Sequence, residues 1–348
     1  MRFARQLFIA LLFALVASCK EPYDFATAPF IDGIVIDGLI DDGPGPWFVN
    51  IGTTVAAERK QKPLQGASVK ITDQDRSFEY LREVSPGRYQ LDGFIVRGNP
   101  GNSYTLDVTL PNGNHYKSTS ETMPTGSSAS DSVYFDVSTR KMVSSENVEI
   151  NVWYVNIRLN TLLSEAKDAR YRWGIDEVYS VYPTCWPGSI SCPKICYVYQ
   201  PTSRFNIALA DPSQLIDPKI NNLLLQERSV DESFNGRHYF NVTQYVMNPE
   251  TYQYWKRVQE IVVKKGSIFD TPPARIRGNI SNEDNPSDYA FGYFEASRTR
   301  VSRVRVDRGY IPIQLPSCDY NAQIPSNSNY CYDCTILEGS TLIEPDWF

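Results

Sequence analysis

Ser103-Tyr104-Thr105-Leu106-Asp107-Val108-Thr109-Leu110 alternates polar with apolar residues, and Asn112-Gly113 separates it from His115-Tyr116-Lys117-Ser118. A period of two reads as a half-buried strand, and Asn-Gly between two such runs signals a hairpin, because both residues tolerate positive φ. The same pattern extends upstream. Ala67-Ser68-Val69-Lys70-Ile71-Thr72 alternates, Ser85-Pro86-Gly87 turns into Arg88-Tyr89-Gln90-Leu91, and Asn99-Pro100-Gly101 leads into the opening stretch. Residues 31–40 and 47–56 are β-rich runs divided by Asp42-Gly43-Pro44-Gly45-Pro46, which no helix can cross. About seven short strands with turns every 8–12 residues indicate a β-sandwich over residues 28–122.

Met123-Pro124-Thr125-Gly126-Ser127-Ser128-Ala129-Ser130 has the polar composition of a linker. Beyond it, residues 131–348 form a larger β-rich region, opened by alternating runs at Ser132 to Val137 and Val148 to Leu159. Its one clear helix spans about residues 249–265: Asn248 suits the N-cap, Pro249 the first position, and Lys264-Lys265-Gly266 the stop. Tyr252, Trp255, Val258, Ile261 and Val262 fall at helical spacing, as a core-facing stripe does. Strands are expected around residues 276–280 and 290–296, and Val301 to Val306 alternates so that Arg303 and Arg305 share a solvent face. The fold class is therefore mainly β, a sandwich followed by a larger β-rich domain.

The composition of the 348 residues agrees: 42% hydrophobic, 21% charged, and 22 Tyr against 4 Met. A formal net charge of −6 supplies no basic field for nucleic acid. Two histidines, His115 and His238, leave little room for His triads or multi-His metal sites. No metal ligand set, cofactor motif or catalytic residue is assigned, since GxSxG, HExxH, P-loop and GxGxxG patterns are absent.

Arg2 and Arg5 precede an apolar run from Leu7 to Ala17, too short for a membrane span but suited to a signal peptide. The run ends in Val16-Ala17-Ser18-Cys19, which resembles the lipobox of bacterial lipoproteins. That resemblance implies a signal peptide over residues 1–18, acylation of Cys19, and a tether over residues 19–27. Lys20 at the position after the lipidated cysteine points to outer-membrane sorting, and Glu21 and Asp24 resemble a surface-export signal. Without Arg2 and Arg5, 32 basic and 40 acidic residues remain, a net charge of −8.

With Cys19 assigned to lipid, six cysteines remain, grouped as Cys185, Cys192, Cys196 and Cys318, Cys331, Cys334. In an oxidising envelope an even set reads as three disulfides with 15 possible connectivities. The three-and-three grouping suggests staples between the middle segment and the C-terminal tail. A Cys331–Cys334 bond or a zinc site remain as alternatives. Asp131-Ser132-Val133 also matches a short O-glycosylation pattern, but a plain strand entry is the favoured reading.

Pro63-Leu-Gln-Gly-Ala-Ser-Val-Lys-Ile-Thr-Asp73, Pro86-Gly87-Arg88-Tyr89 and Pro100-Gly101-Asn102-Ser103-Tyr104 resemble an immunoglobulin- or transthyretin-like module. Together with the lipobox, Asn248-Pro249-Glu250-Thr251-Tyr252, Pro273-Ala-Arg-Ile-Arg-Gly-Asn-Ile280, Phe291-Gly-Tyr-Phe-Glu-Ala-Ser297 and Pro345-Asp346-Trp347, they make the chain resemble a Bacteroidota lipoprotein family called domain of unknown function 4249. The resemblance implies an accessory or ligand-handling role beside a TonB-dependent outer-membrane transporter and carries no catalytic residues.

Three readings follow. The first is a surface-exposed, non-catalytic lipoprotein that binds a nutrient ligand for such a transporter. Its candidate ligand patch is Tyr179, Tyr182, Trp186, Tyr197 and Tyr199, unless these aromatics fill a small core around the disulfides. Aromatic faces stack on sugars or peptides, and a disulfide frame lowers the ordering cost of binding. The second is a structural or adhesive envelope component. The third is a hydrolase using carboxylates such as Asp41-Asp42 or Glu283-Asp284. Adjacent residues in a turn, however, do not span a scissile bond as paired carboxyls must.

Overall fold

Alternation in the first part of the chain produces ten strands: β1 (Ile34–Asp41), β2 (Trp47–Thr53), β3 (Lys62–Pro63), β4 (Ser68–Asp73), β5 (Phe78–Tyr80), β6 (Arg82–Ser85), β7 (Arg88–Leu91), β8 (Ser103–Thr109), β9 (His115–Ser118) and β10 (Glu121–Thr122). Longer strands follow: β11 (Ser130–Val143), β12 (Glu149–Leu162), β13 (Arg170–Val181), β14 (Cys196–Pro201), β15 (Ala208–Ala210), β16 (Lys219–Ser229) and β17 (His238–Met247). The helix α1 (Pro249–Val263), β18 (Ile280–Asn282), β19 (Phe294–Val306) and β20 (Ser340–Thr341) complete the chain. The computed structural model describes residues 33–54, 62–126, 130–164, 166–184, 194–201, 207–263, 276–285, 287–318 and 329–348, with the side chains of Ser130 and Val263 excepted. The expected signal peptide, the tether, Cys19, Cys185, Trp186 and Cys192 lie outside the described residues.

The hairpin forms as read. Thr109 pairs with His115, and Gly113 adopts φ 90° in the turn. One face of the sandwich is the sheet β18-β9-β8-β4-β5, with β10 beside β8. The opposing face is the β1-β2-β7-β6 end of an eleven-stranded sheet. Ile36, Val49, Ile51 and Leu91 from that sheet meet Val69, Ile71, Leu106 and Val108 from the other in one buried core. Each set occupies alternate positions of its strand, so the polar residues between them reach solvent.

The sandwich differs from the expected 28–122 module in what completes it. β18 pairs with β9, Ile280 opposite Ser118, and β19 runs parallel to β1 from Phe294 to Ser297. The next residues of β19, Arg298 to Val306, pair instead with β17. One long strand therefore carries the sheet order β20-β14-β13-β17-β19-β1-β2-β7-β6 across the linker-like segment at 123–130. Asp32–Phe348 form one compact unit. Composition marked a polar stretch, but long-range pairing decides whether such a stretch separates domains.

A third sheet, β11-β12-β16, lays Val155, Ile157, Leu159 and Leu225 over Tyr171, Trp173, Phe240 and Val242 of the long sheet, making a second core. At the start of α1 the Asn248 Oδ1 accepts from the Thr251 N–H at 2.8 Å. Tyr252 and Tyr254 are buried beneath the helix, and Tyr254 was not part of the expected stripe. The Arg172 guanidinium lies between the rings of Tyr245 and Trp255, 3.9 and 4.0 Å from their centroids, and fastens α1 to the sheet.

Candidate functional site

Three pieces of chain, together with Gln200 of β14, line an open cleft of about 570 Å³. The first is the end of β13 and the segment after it, which supply Tyr179, Tyr182 and Thr184. The second is the turn between β16 and β17, which supplies Asp231, Glu232, Ser233 and Asn235. The third is the tail, which supplies Ser317, Cys318, Tyr330 and Leu337.

Local chemistry shapes the turn. Asp231 Oδ1 accepts from the backbone N–H of Ser233 at 3.0 Å and from its hydroxyl at 2.5 Å, closing one 3-10 turn over Glu232–Asn235. Gly236 then passes against β13 so closely that a Cβ there would sit 2.0 Å from the Ser180 carbonyl oxygen. Two disulfides hold the tail. Cys196–Cys334 joins β14 to the tail, and Cys318–Cys331 closes the segment that presents Tyr330. The first is the staple expected between the two cysteine groups. The second lies within the C-terminal group, so neither Cys331 nor Cys334 is available to a CxxC metal or redox site.

Below the cleft lies a buried ionic network. The Arg228 Nε–H donates to both Glu177 oxygens at 3.1 Å, and one terminal nitrogen of the guanidinium donates to Asp231 Oδ2 at 2.8 Å. Burial alone would lower the Arg228 pKa, but Glu177 and Asp231 outweigh it and raise it. Burial likewise pushes the Asp231 carboxyl up, and Ser233 and Arg228 reverse this to hold it below the usual range. His238 is fully buried, with Nε2 3.0 Å from Glu177 and its ring stacked 4.1 Å from that of Phe234. Burial, followed by the charges of Glu177 and Asp231, pushes the Tyr179 hydroxyl to about 12. Burial and then the charges of Glu232 and Asp231 raise that of Tyr330.

The expected aromatic patch is divided by the sheet. Tyr179 stands opposite Val198, while Ser180 stands opposite Tyr197 and Val178 opposite Tyr199. Directly opposed residues share a face and neighbours alternate, so Tyr197 and Tyr199 project away from Tyr179. Tyr179 lines the cleft, and so does Tyr182, whose hydroxyl is engaged by Arg237 near Tyr197. Tyr179 also packs with Cys196, Val198 and Cys334 in a small core around the disulfide. On the other face Tyr197 is buried against the Phe348 ring at 5.1 Å, and Tyr199 is exposed. Trp186, the fifth residue, lies outside the described residues.

Other candidates have structural partners. His115 sits at the hairpin with Nδ1 2.8 Å from Glu283. Asp42 pairs with Arg298 at 2.9 Å, and Asp41 accepts from Trp47 Nε1 at 2.7 Å. Arg303 and Arg305 are exposed on β19 as expected, yet Arg303 lies over the Trp347 ring and Arg305 pairs with Asp307. Arg228, Asp231, Glu232 and Tyr330 were not among the sequence-derived candidates. Asp231 and Ser233 do carry a capping signal, but nothing local announces that residues 228–235 meet residue 330.

The model of a family described as domain of unknown function (DUF4249) matches residues 20–303, and the chain belongs to that family. No curated protein and no solved structure matches it.

Proposed function

We propose that this member of the DUF4249 family is a lipid-anchored outer-membrane protein that binds a ligand at the extracellular face without transforming it, as the accessory partner of a TonB-dependent transporter. The anchor rests on the Leu7 to Cys19 segment, and the transporter on the lipoprotein family the sequence resembles. The observation that carries the binding role is the cleft. It is large enough for a small organic ligand, has three tyrosines among its lining residues, and is framed by two disulfides that limit the entropy lost on binding.

The surroundings favour binding over catalysis. A general base must come within hydrogen-bond reach of its substrate. His238 is sealed beneath the cleft, while Glu177 and Asp231 are both engaged by Arg228. The test is affinity purification of the full chain from detergent-solubilised native outer membranes. A co-purifying TonB-dependent barrel is the expected result, and its absence under conditions that preserve other membrane complexes overturns the accessory role.

A structural or adhesive role is favoured by a different feature. Phe94 and Ile95 are 83% and 64% exposed, on a loop whose backbone N–H groups are held by the Glu79 carboxylate. If the barrel is absent and retention of envelope proteins depends on Phe94, that second reading replaces the first.

A further inference from the structure

Within the reading that the cleft binds a ligand, we infer that the ligand presents an organic cation, an ammonium or guanidinium group, to Glu232 and the adjacent Tyr330 ring. The cleft holds two acidic lining residues, Asp231 and Glu232, and one basic lining residue, Arg228. That guanidinium is already engaged. It donates to both oxygens of Glu177, to Asp231, and to the Ser229 carbonyl at 2.6 Å. An entering phosphate or carboxylate would have to displace those bonds and leave the buried Glu177 without its cation, which is strongly unfavourable.

Glu232 differs from the other two carboxylates. It is exposed at the cleft, and among the described residues no lysine, arginine or histidine forms an ion pair with it. Tyr330 lines the same space and its hydroxyl is hydrogen-bonded to Glu232, while Tyr179 is stacked on His238 and the Tyr182 hydroxyl is engaged by Arg237. Tyrosine ring faces carry negative electrostatic potential and attract ammonium and guanidinium groups. A carboxylate beside such faces supplies the charge-assisted hydrogen bond that fixes the cation's position. The volume of about 570 Å³ admits a lysine-sized chain with its flanking atoms.

The cation can come from a peptide side chain or from a free polyamine, which share this chemistry. Calorimetric titration of the full detergent-solubilised chain with acetyl-Gly-Lys-Gly-amide, spermidine, maltotriose and glucuronate separates the cases. Binding of the capped peptide alone assigns a peptide source, and binding of spermidine, with or without the peptide, assigns recognition of the amine itself. Either result supports the inference if Glu232→Gln weakens binding about tenfold while Glu146→Gln, in the turn between β11 and β12 and not among the cleft-lining residues, leaves it unchanged. Thermal melts of both variants check folding. Failure of both cations to bind, preference for maltotriose or glucuronate, or an unchanged affinity in Glu232→Gln overturns it. Barrel co-purification is scored separately. A retained barrel without cation binding rejects only the ligand class, and cation binding without a barrel rejects only the accessory role.

Discussion

The Asn248 Nδ2 donates across 2.8 Å to the buried carboxylate of Glu121, joining residues 127 positions apart in the chain. The other end of the same amide caps α1, so the helix N-terminus is tied directly to the sandwich. Thr251, Asn279 and Tyr293 also donate to Glu121. Replacing Glu121 with Ala leaves these donors buried without an acceptor and is expected to cost about 3–5 kcal/mol. Glu121→Gln should cost less, since its amide oxygen still accepts. Urea unfolding checks the order; equal midpoints for wild type and Glu121→Ala would show that the cluster adds no stability.

Glu79 supplies a pH-dependent anchor. Its oxygens accept from the backbone N–H groups of Gly93, Phe94, Ile95 and Val96 at 2.7–3.3 Å. Burial pushes its pKa up, the four donors outweigh burial, and the net shift is below the ordinary 4.5. A carboxyl with a depressed folded-state pKa stabilises fully above its unfolded value, and that stabilisation is lost as pH falls through the folded value. The difference in Tm between wild type and Glu79→Gln should therefore be largest near neutrality and shrink below about pH 4.5. A difference independent of pH between 7 and 3 would contradict this assignment.

The two disulfides among the described residues should differ in strength by loop length. Chain entropy assigns about 3 kcal/mol to Cys318–Cys331, with a sequence separation of 13, and about 5 kcal/mol to Cys196–Cys334, with a separation of 138. Paired Cys→Ser variants measured by chemical denaturation test the order. Loss of Cys318–Cys331 should also loosen Tyr330 at the cleft and raise its hydrogen exchange before global unfolding. Equal exchange with and without that bond would rule out a role in framing the cleft.

Arg228→Met should be more harmful than removal of the whole charge pair. The single change leaves Glu177 buried without its guanidinium and is expected to cost about 3–5 kcal/mol. The double variant Glu177→Gln with Arg228→Met should recover part of that loss, because the buried Glu177 charge is removed and only the more exposed Asp231 is left without its cation. A double-mutant cycle with zero coupling would remove this pair from the account of stability.

Much of the fold was legible because strands announce themselves locally. The Asn112-Gly113 hairpin, the alternating Val69–Ile71 and Leu106–Val108 faces, and the Asn248 cap of α1 depend on residues within a few positions of one another. Less of the site could be read. Tyr179 and Tyr182 were among its candidates, yet Tyr197 and Tyr199 fell on the other face once the β13–β14 register was set. A register shift of one residue would exchange those faces, and no local feature of residues 179–199 determines it.

By itself, the amino-acid order determined the β character, the turns and the helix cap, and it identified the cysteines as two groups, since each follows from short-range sterics, hydrogen bonding or spacing. Tertiary structure alone decided that β19 joins β1 to β17 across an apparent linker, which cysteines pair among the described residues, and that Arg228, Glu232 and Tyr330 share one cleft with Tyr179. Most of those facts rest on contacts between residues tens to hundreds of positions apart. Such contacts are selected by the joint burial of whole sheet faces and leave no mark in any short window of sequence.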